Sequence, residues 1–516
     1  MSMTLLPTTP AEASFSAVLP DEQATRRLMV DVASALAPGD MITLSGDLGA
    51  GKTTFARAMI RHLAADNTLE VPSPTFTLMQ TYELPRFPIV HADLYRISGG
   101  AELTELGFDD LPDKAVVLLE WPDRAEGVLP DDRFDVTLTL APKLKTEFRH
   151  ARVTGYGHCA SRVERIATVR HFIAESGYSE AIRMRMPGDA STRSYDRLVM
   201  GDKRVILMNW PPRSDGPPVR DGRPYSAIAH LAENVAPFVA MATELRERGL
   251  SAPEIYHADV RQGLLLLEDL GQEGVIAGDP SAPVIECYET AVDVLLHLHS
   301  QQLPDTLPVA PQVEHKIPRY DLDALMIEAE LLVDWYLPRL GVTLASDHRT
   351  EFVSLWRAAL APVIEAPATW VLRDFHSPNL LWLPQRSETA RLGVLDFQDT
   401  VMGPAAYDLA SLLQDARVDV PEPTELALLG WYLRARHASD PDFDAGAFIK
   451  LYVTLAAQRN SKILGIFARL DLRDGKPQYL RHMPRIWSYL QRSLAHPSLA
   501  ALNAWYSAHV PALKTI

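Results

Sequence analysis

Gly46-Asp47-Leu48-Gly49-Ala50-Gly51-Lys52-Thr53 fits the pattern G-x-x-x-x-G-K-[ST] without a gap. Glycines at these positions allow turns that aim successive backbone N–H groups inward at phosphate oxygens. The stretch before it, MITLSG from Met41, reads as a short buried strand. The stretch after it, TTFARAMIRHLA from Thr53, reads as a helix whose positive dipole end faces the same anion. Lys52 is placed to reach the outer phosphates, the Thr53 hydroxyl to ligate magnesium, and Thr54 to extend the cradle into the helix. Strand, loop and helix in this order predict a nucleotide site that uses ATP and Mg2+.

Working outward, residues 22–37 space apolar side chains as one face of a helix, which Pro38-Gly39-Asp40 ends. FTLMQTYE, PIVHADLY and KAVVLLEW are strand candidates bounded by turn or proline signals, and Phe134–Leu140 is a closing strand before polar, basic residues. Strands alternating with helices predict an α/β layered domain of the P-loop NTPase type, with a mostly parallel sheet and flanking helices. Such a site needs an acidic partner for the metal at the end of a buried strand. Asp93, after PIVHA, and Glu120, at the end of AVVLLE, are both candidates.

The ordered segments SGDLGAGKTT, SPTFTLMQTYE, HADLYRI, ELGFDD and VVLLEWPDRAEGVLP resemble the TsaE family over roughly residues 10–145. The resemblance implies a small ATPase that acts with TsaB-like and TsaD-like protein partners in forming threonylcarbamoyladenosine in transfer RNA. It implies that Thr53 and Glu120 hold magnesium and that Asp93 is a catalytic or metal-facing carboxylate. Ser73-Pro74-Thr75 becomes a switch-like loop near the γ-phosphate, and Trp121 a packing residue near nucleotide or partner.

A second chemistry-bearing stretch is Leu372-Arg373-Asp374-Phe375-His376-Ser377-Pro378-Asn379, after the apolar ATWVL. Asp374 and Asn379 have the spacing of a kinase catalytic loop, in which the aspartate acts on the attacking hydroxyl and the asparagine helps hold magnesium. Further on, the strand RLGVL delivers Asp396 where a metal-binding aspartate belongs. Upstream, Gly188-Asp189-Ala190-Ser191-Thr192-Arg193 lies between strand candidates. Ser191, Thr192 and Arg193 are placed to cover the nucleotide phosphates, although the same turn is also what a plain hairpin would carry. Leu264–Leu267 with Glu268 resembles a hinge strand that receives adenine.

GDASTRSYDR, VILMNWPP, LLLEDLG, LRDFHSPNLLW and LGVLDFQDTVMGPAAYDLASLLQD together resemble the aminoglycoside-phosphotransferase superfamily, over about residues 165–510. Within it they resemble the anomeric kinases of N-acetylmuramate and N-acetylglucosamine (AmgK). The resemblance implies a two-lobed, protein-kinase-like domain and an amino sugar substrate. Two positions depart from the superfamily: Met208 stands where a kinase usually has its phosphate-pairing lysine, and Leu372 where it usually has histidine. Arg193, Arg373 or Lys203 are the candidates to neutralise the phosphates instead. His376 and Asp408 read as residues that shape the loop, Asp399 as either structural or substrate-facing, and Trp335, Trp356 and Trp370 as core. An aminoglycoside or choline-like acceptor, or a regulatory module without turnover, are the competing readings of this half.

The domains are expected at 1–155 and 165–516, the latter with a small lobe to about 272 and a helical lobe from about 280. The 516 residues carry a net charge of −16, of which residues 1–155, with 14 Lys/Arg and 22 Asp/Glu, hold −8. Neither half is the basic body of a protein that grips nucleic acid directly. Two distant cysteines, Cys159 and Cys287, make no disulfide framework or metal spacing. No apolar run is long enough for a bilayer, and MSMTLLPTTPAEASF does not read as a secretory signal, so a cytoplasmic protein is expected.

Overall fold

Side chains from Glu12 to Leu19 alternate between solvent and sheet and form an edge strand, β1 (Glu12–Leu19). The computed structural model describes residues 12–97, 112, 114–125, 127, 129–140, 148–186, 193–212 and 216–511. These fall into two units that divide after Asn209.

In the first unit, Asp21 caps helix α1 (Glu22–Ser34) by accepting from the Ala24 N–H at 2.7 Å. The helix stops short of Ala37 because Asp40 takes the Ala37 N–H at 2.6 Å and closes a turn. The chain continues through β2 (Met41–Ser45), α2 (Lys52–Ala64), β3 (Met79–Tyr82), β4 (Ile89–Asp93), β5 (Val116–Glu120), β6 (Arg133–Leu140) and β7 (Arg149–Tyr156). The sheet order is β1-β7-β6-β2-β5-β4-β3. Its centre, β6-β2-β5-β4, is parallel. Antiparallel pairs extend it at both margins, β1–β7–β6 on one side and β3–β4 on the other. The sheet is therefore mixed, with the expected parallel arrangement confined to its core.

β4 and β5 are buried along their whole length, as apolar runs in a covered parallel sheet should be. Their register sets Asp93 opposite Glu120, and Glu120 is also level with Leu44 on β2. Two carboxylates and the glycine loop thus meet at the carboxyl edge of the sheet, where open α/β sheets bind ligands.

The helix His158–Glu175 follows, then the antiparallel strands β8 (Ile182–Arg185), β9 (Ser194–Met200) and β10 (Lys203–Asn209). Met208 is fully buried in β10. Arg183 of β8 bridges Asp31 of α1 at 3.0 Å and Asp196 of β9 at 2.7 Å, with all three side chains largely buried.

The second unit runs through the short pair Pro218–Arg220 and Arg223–Pro224 and the helix Ala236–Glu247 to the paired strands Ile255–Asp259 and Leu264–Glu268, and helices dominate thereafter. Its longest helix, Ala445–Leu472, crosses the helix Leu322–Leu331 at Gly465, where an added Cβ would lie 2.4 Å from the Leu331 carbonyl oxygen. Trp356 and Trp370 are fully buried core residues, whereas Trp335 is half-buried. The stretch Leu372–Asn379 leaves strand Thr369–Val371, which pairs with Val401–Gly403, and runs into Leu380–Trp382, which pairs with Leu392–Val394. Among the described residues, no helix is long and apolar enough to cross a membrane.

Candidate active sites

Three glycines of the first loop have left-handed backbone: Gly46 (φ 137°), Gly49 (φ 82°) and Gly51 (φ 106°). At Gly46 the constraint is also steric, because a Cβ would lie 2.2 Å from the Leu138 carbonyl oxygen. The loop wraps Lys52, whose Nζ donates to the carbonyls of Gly46 (2.7 Å) and Asp47 (3.0 Å) and stands 3.6 Å over the Trp121 ring. Burial pulls the Lys52 ammonium below its ordinary pKa, against the opposing pull of Glu120, Asp93 and Asp47. From β7, Arg149 donates to the Ala50 carbonyl at 2.9 Å and braces the loop.

The Thr53 hydroxyl donates to Glu120 at 2.8 Å, and the other Glu120 oxygen meets the buried His91 ring at 2.9 Å. Asp93 takes hydrogen bonds from the Thr75 hydroxyl (2.7 Å), the Ser73 hydroxyl (3.3 Å) and the Tyr95 N–H (3.0 Å). The structure therefore gathers Lys52, Thr53, Asp93, Glu120 and the Ser73–Thr75 loop at one edge. A hydroxyl beside a carboxylate is a hard oxygen donor set of the kind magnesium takes. His91, which fixes the orientation of Glu120, was not anticipated. Its signal in the sequence is a histidine inside the otherwise apolar run PIVHA, just before Asp93.

In the second unit, Asp374, Asn379 and Asp396 come together. Asn379 Nδ2 donates to the Asp374 carbonyl at 3.0 Å and lies 3.5 Å from an Asp396 oxygen. The Leu395 N–H donates to the Asn379 carbonyl at 2.9 Å, which joins the segments that carry Asn379 and Asp396. The amide and carboxylate of these residues again suit magnesium. Arg373 (φ 67°) and Asp396 (φ 60°) hold left-handed backbone that non-glycine residues seldom adopt, a strain the surrounding bonds must hold.

Asp408 supplies part of that restraint. Fully buried, it accepts the Leu372 and Arg373 N–H groups at 2.6 and 2.9 Å, and burial pushes its carboxyl up to about 7. Asp415, also buried, takes the Ser377 N–H at 2.7 Å. His376 lies beside the Asn379 amide at 3.5 Å, consistent with a loop-shaping role. Asp399 accepts the Ala232 N–H at 2.6 Å.

Arg373 is not a phosphate ligand, contrary to one expectation. Its guanidinium is buried against Glu328 and the Ala229 carbonyl, which is 2.7 Å away. Glu328 also meets Lys462 at 2.8 Å. Lys203 lies exposed at the start of β10, and Arg193 immediately precedes β9. Glu268 pairs through its side chain with Arg246 and Arg386, and its N–H bonds the Glu254 carbonyl at 2.8 Å. Ser191 and Thr192 lie outside the described residues, as does the ELGFDD segment. Glu328, Lys462 and Asp415 carried no readable spacing. Glu328 shares the helix LDALMIEAEL with Asp323 and Glu330, so the sequence does not single it out.

Fold and sites define two classes of protein in one chain, a P-loop nucleotide hydrolase and a kinase-like phosphotransferase. Residues 19–148 match the family described as threonylcarbamoyl adenosine biosynthesis protein TsaE, and residues 184–448 match the phosphotransferase enzyme family, APH. A Caulobacter vibrioides protein named N-acetylmuramate/N-acetylglucosamine kinase is 39% identical over 362 residues, 67% of this chain and 97% of its own. A Pseudomonas aeruginosa protein of the same name is 33% identical over 61% of this chain and 85% of its own. A Rickettsia felis protein named tRNA threonylcarbamoyladenosine biosynthesis protein TsaE is 39% identical over 25% of this chain and 74% of its own. The chain belongs to the TsaE family in its N-terminal part and to the APH phosphotransferase family in its C-terminal part. It joins an ATP hydrolase to an ATP-dependent phosphotransferase with an alcohol group as acceptor.

Proposed function

We propose that the chain is bifunctional. The N-terminal domain, residues 1–155, hydrolyses ATP in support of N6-threonylcarbamoyladenosine formation in transfer RNA, together with TsaB-like and TsaD-like protein partners. The kinase domain, residues 165–516, phosphorylates the anomeric hydroxyl of N-acetylmuramate or N-acetylglucosamine, for peptidoglycan recycling in the cytoplasm. The observation that carries the kinase reading is the junction of Asp374, Asn379 and Asp396 in a chain that spans 97% of a kinase bearing that name.

Asp374 orients the sugar hydroxyl and takes its proton as the oxygen attacks the γ-phosphorus of ATP, giving the sugar phosphate and ADP. Asn379 and Asp396 hold magnesium, which when bound neutralises charge on the phosphates. In the N-terminal site, Gly46 to Thr54 cradle the phosphates, Thr53 and Glu120 hold the metal, and Asp93 faces the reacting end. Its acidic balance suits action on a protein complex better than a direct grip on RNA.

The test is phosphate transfer by purified protein to N-acetylmuramate, N-acetylglucosamine, kanamycin and choline, each offered separately. Sugar phosphorylation lost in Asp374→Ala and kept in Lys52→Ala is expected. Transfer to kanamycin or choline alone would replace the acceptor, and transfer to none would replace the kinase reading with a regulatory one.

A further inference from the structure

The helix Ala500–His509 packs on the early turns of the helix Ser346–Glu365 through aromatic side chains. Phe352 lies 4.7 Å from Trp505 and Trp356 6.5 Å from Tyr506, ring centre to ring centre, and all four are buried. The Trp505 indole also donates to the His348 carbonyl at 3.1 Å, which fixes the end of one helix against the start of the other. Close-packed rings of this size leave little freedom in how the two helices meet.

That packing brings three metal-ligating side chains to one point. His348 and Glu351, three residues apart, share a face of the helix Ser346–Glu365, and His509 is the last residue of the helix Ala500–His509. The imidazole rings of His348 and His509 stand 4.2 Å apart, centre to centre, at 38°. One nitrogen of each ring and one carboxylate oxygen of Glu351 all lie within 4.8 Å of one another. His348 Nδ1 is 3.9 Å from the Glu351 carboxylate, too long for a hydrogen bond, so no direct bond between these two explains the approach. Ligands about 2.1 Å from one tetrahedral ion stand about 3.4 Å apart, so small side-chain rotations on a fixed backbone bring these atoms to ligating distance. His348 and Glu351 are exposed and His509 is half-buried, which leaves the point open to an ion from solvent.

We propose that His348, Glu351 and His509 bind one divalent transition-metal ion of the zinc class, and that the ion clasps the helix Ala500–His509 to the helix Ser346–Glu365. Two imidazoles and one carboxylate favour zinc over magnesium or calcium, which take oxygen ligands. Three protein ligands leave one tetrahedral position, which water fills. Asn379 and Asp396 offer oxygen alone, so saturating magnesium separates the kinase metal position from this one.

The experiment titrates zinc into the untagged full chain, without nucleotide and in excess magnesium, in competition with a chromophoric chelator. Wild type is compared with His348→Ala, His509→Ala and Glu351→Gln. These side chains lie at or near the surface, so the substitutions leave the aromatic contacts between the helices in place. Wild type should bind zinc at least about 10- to 100-fold more tightly than either histidine variant, because even a residue that only orients a ligand contributes that much. Glu351→Gln should lose less than either histidine variant. Hydrogen exchange of the Ala500–His509 amides should slow when zinc is added to wild type and stay unchanged in the histidine variants. Zinc bound equally well by all four proteins, or by none of them, overturns the site. Zinc lost with the histidines but without any effect on exchange in wild type overturns the clasp.

Discussion

Glu328 is fully buried, yet its one carboxylate faces two cations and two further donors. Arg373 and Lys462 meet one oxygen, the latter at 2.8 Å, while the Tyr320 hydroxyl and the Gln458 amide (3.2 Å) meet the other. Burial by itself would raise the glutamate's pKa, but Lys462 and Arg373 together bring it down to about 2, from an ordinary 4.5. A folded pKa below the unfolded one adds stability that is present above about pH 4.5 and lost as pH falls toward 2. That difference corresponds to about 3 kcal/mol. Glu328→Gln keeps the shape but leaves Arg373 and Lys462 buried without a counter-charge, at a cost of about 3–5 kcal/mol near pH 7. Lys462→Met leaves Glu328 and Arg373 as a balanced pair and should cost less than about 2 kcal/mol. Urea unfolding at pH 7 and pH 3, followed through the buried Trp356 and Trp370, measures both, and the gap between Glu328→Gln and wild type should narrow at the lower pH. Because Arg373 precedes Asp374, Glu328→Gln should also lose phosphotransfer while N-terminal ATP hydrolysis survives. A Glu328→Gln protein within about 1 kcal/mol of wild type at pH 7, or no more affected than Lys462→Met, would refute the reasoning.

Gly46→Ala adds a Cβ that would lie 2.2 Å from the Leu138 carbonyl at a φ of 137°. It should remove nucleotide binding at the N-terminal site, read by fluorescent ATP-analogue titration, and leave sugar phosphorylation intact. Arg183→Met leaves Asp31 facing only Arg170 and removes the close partner of the buried Asp196. It should cost about 3–5 kcal/mol and lower both activities on mild heating, whereas loss of only one activity would count against a shared structural role.

The phosphate loop was legible because its evidence is local: a glycine pattern between an apolar strand and a helix. β1 was not, since it alternates polar and apolar residues and gains its strand character from β7, more than a hundred residues away. FTLMQTYE was expected to be a strand throughout, but its first residues turn instead. Leu78 has φ 66° and donates to the Pro74 carbonyl at 2.6 Å, which leaves β3 to start at Met79. Spacing marked Asp374, Asn379 and Asp396, because all three lie within a stretch whose geometry the chain itself dictates. Arg373 was misplaced among phosphate ligands because its partner, Glu328, lies 45 residues upstream on a helix that also carries Asp323 and Glu330. Asp408 was placed correctly, as a carboxylate beyond Asp396 that pins the loop by hydrogen bonds.

Where one activity's scaffold stops is decided by buried charge as much as by family boundaries. The phosphotransferase match begins at residue 184, yet β8, β9 and β10 fall in the same unit as the P-loop sheet. Arg183 explains part of this. An arginine buried beside one aspartate would balance it, but this one is shared between Asp31 on the first helix of the ATPase and Asp196 on a kinase-family strand. Neither aspartate can be left without a cation cheaply, since an uncompensated buried charge costs several kcal/mol. Arg170, from the helix His158–Glu175, meets Asp31 as well, so the segment that links the two families is tied into the same network. A flexible tether would need none of these charges to be buried. Residues 158–209 are therefore tied by buried charge to the first helix of the P-loop unit, while supplying strands that the kinase family claims by sequence.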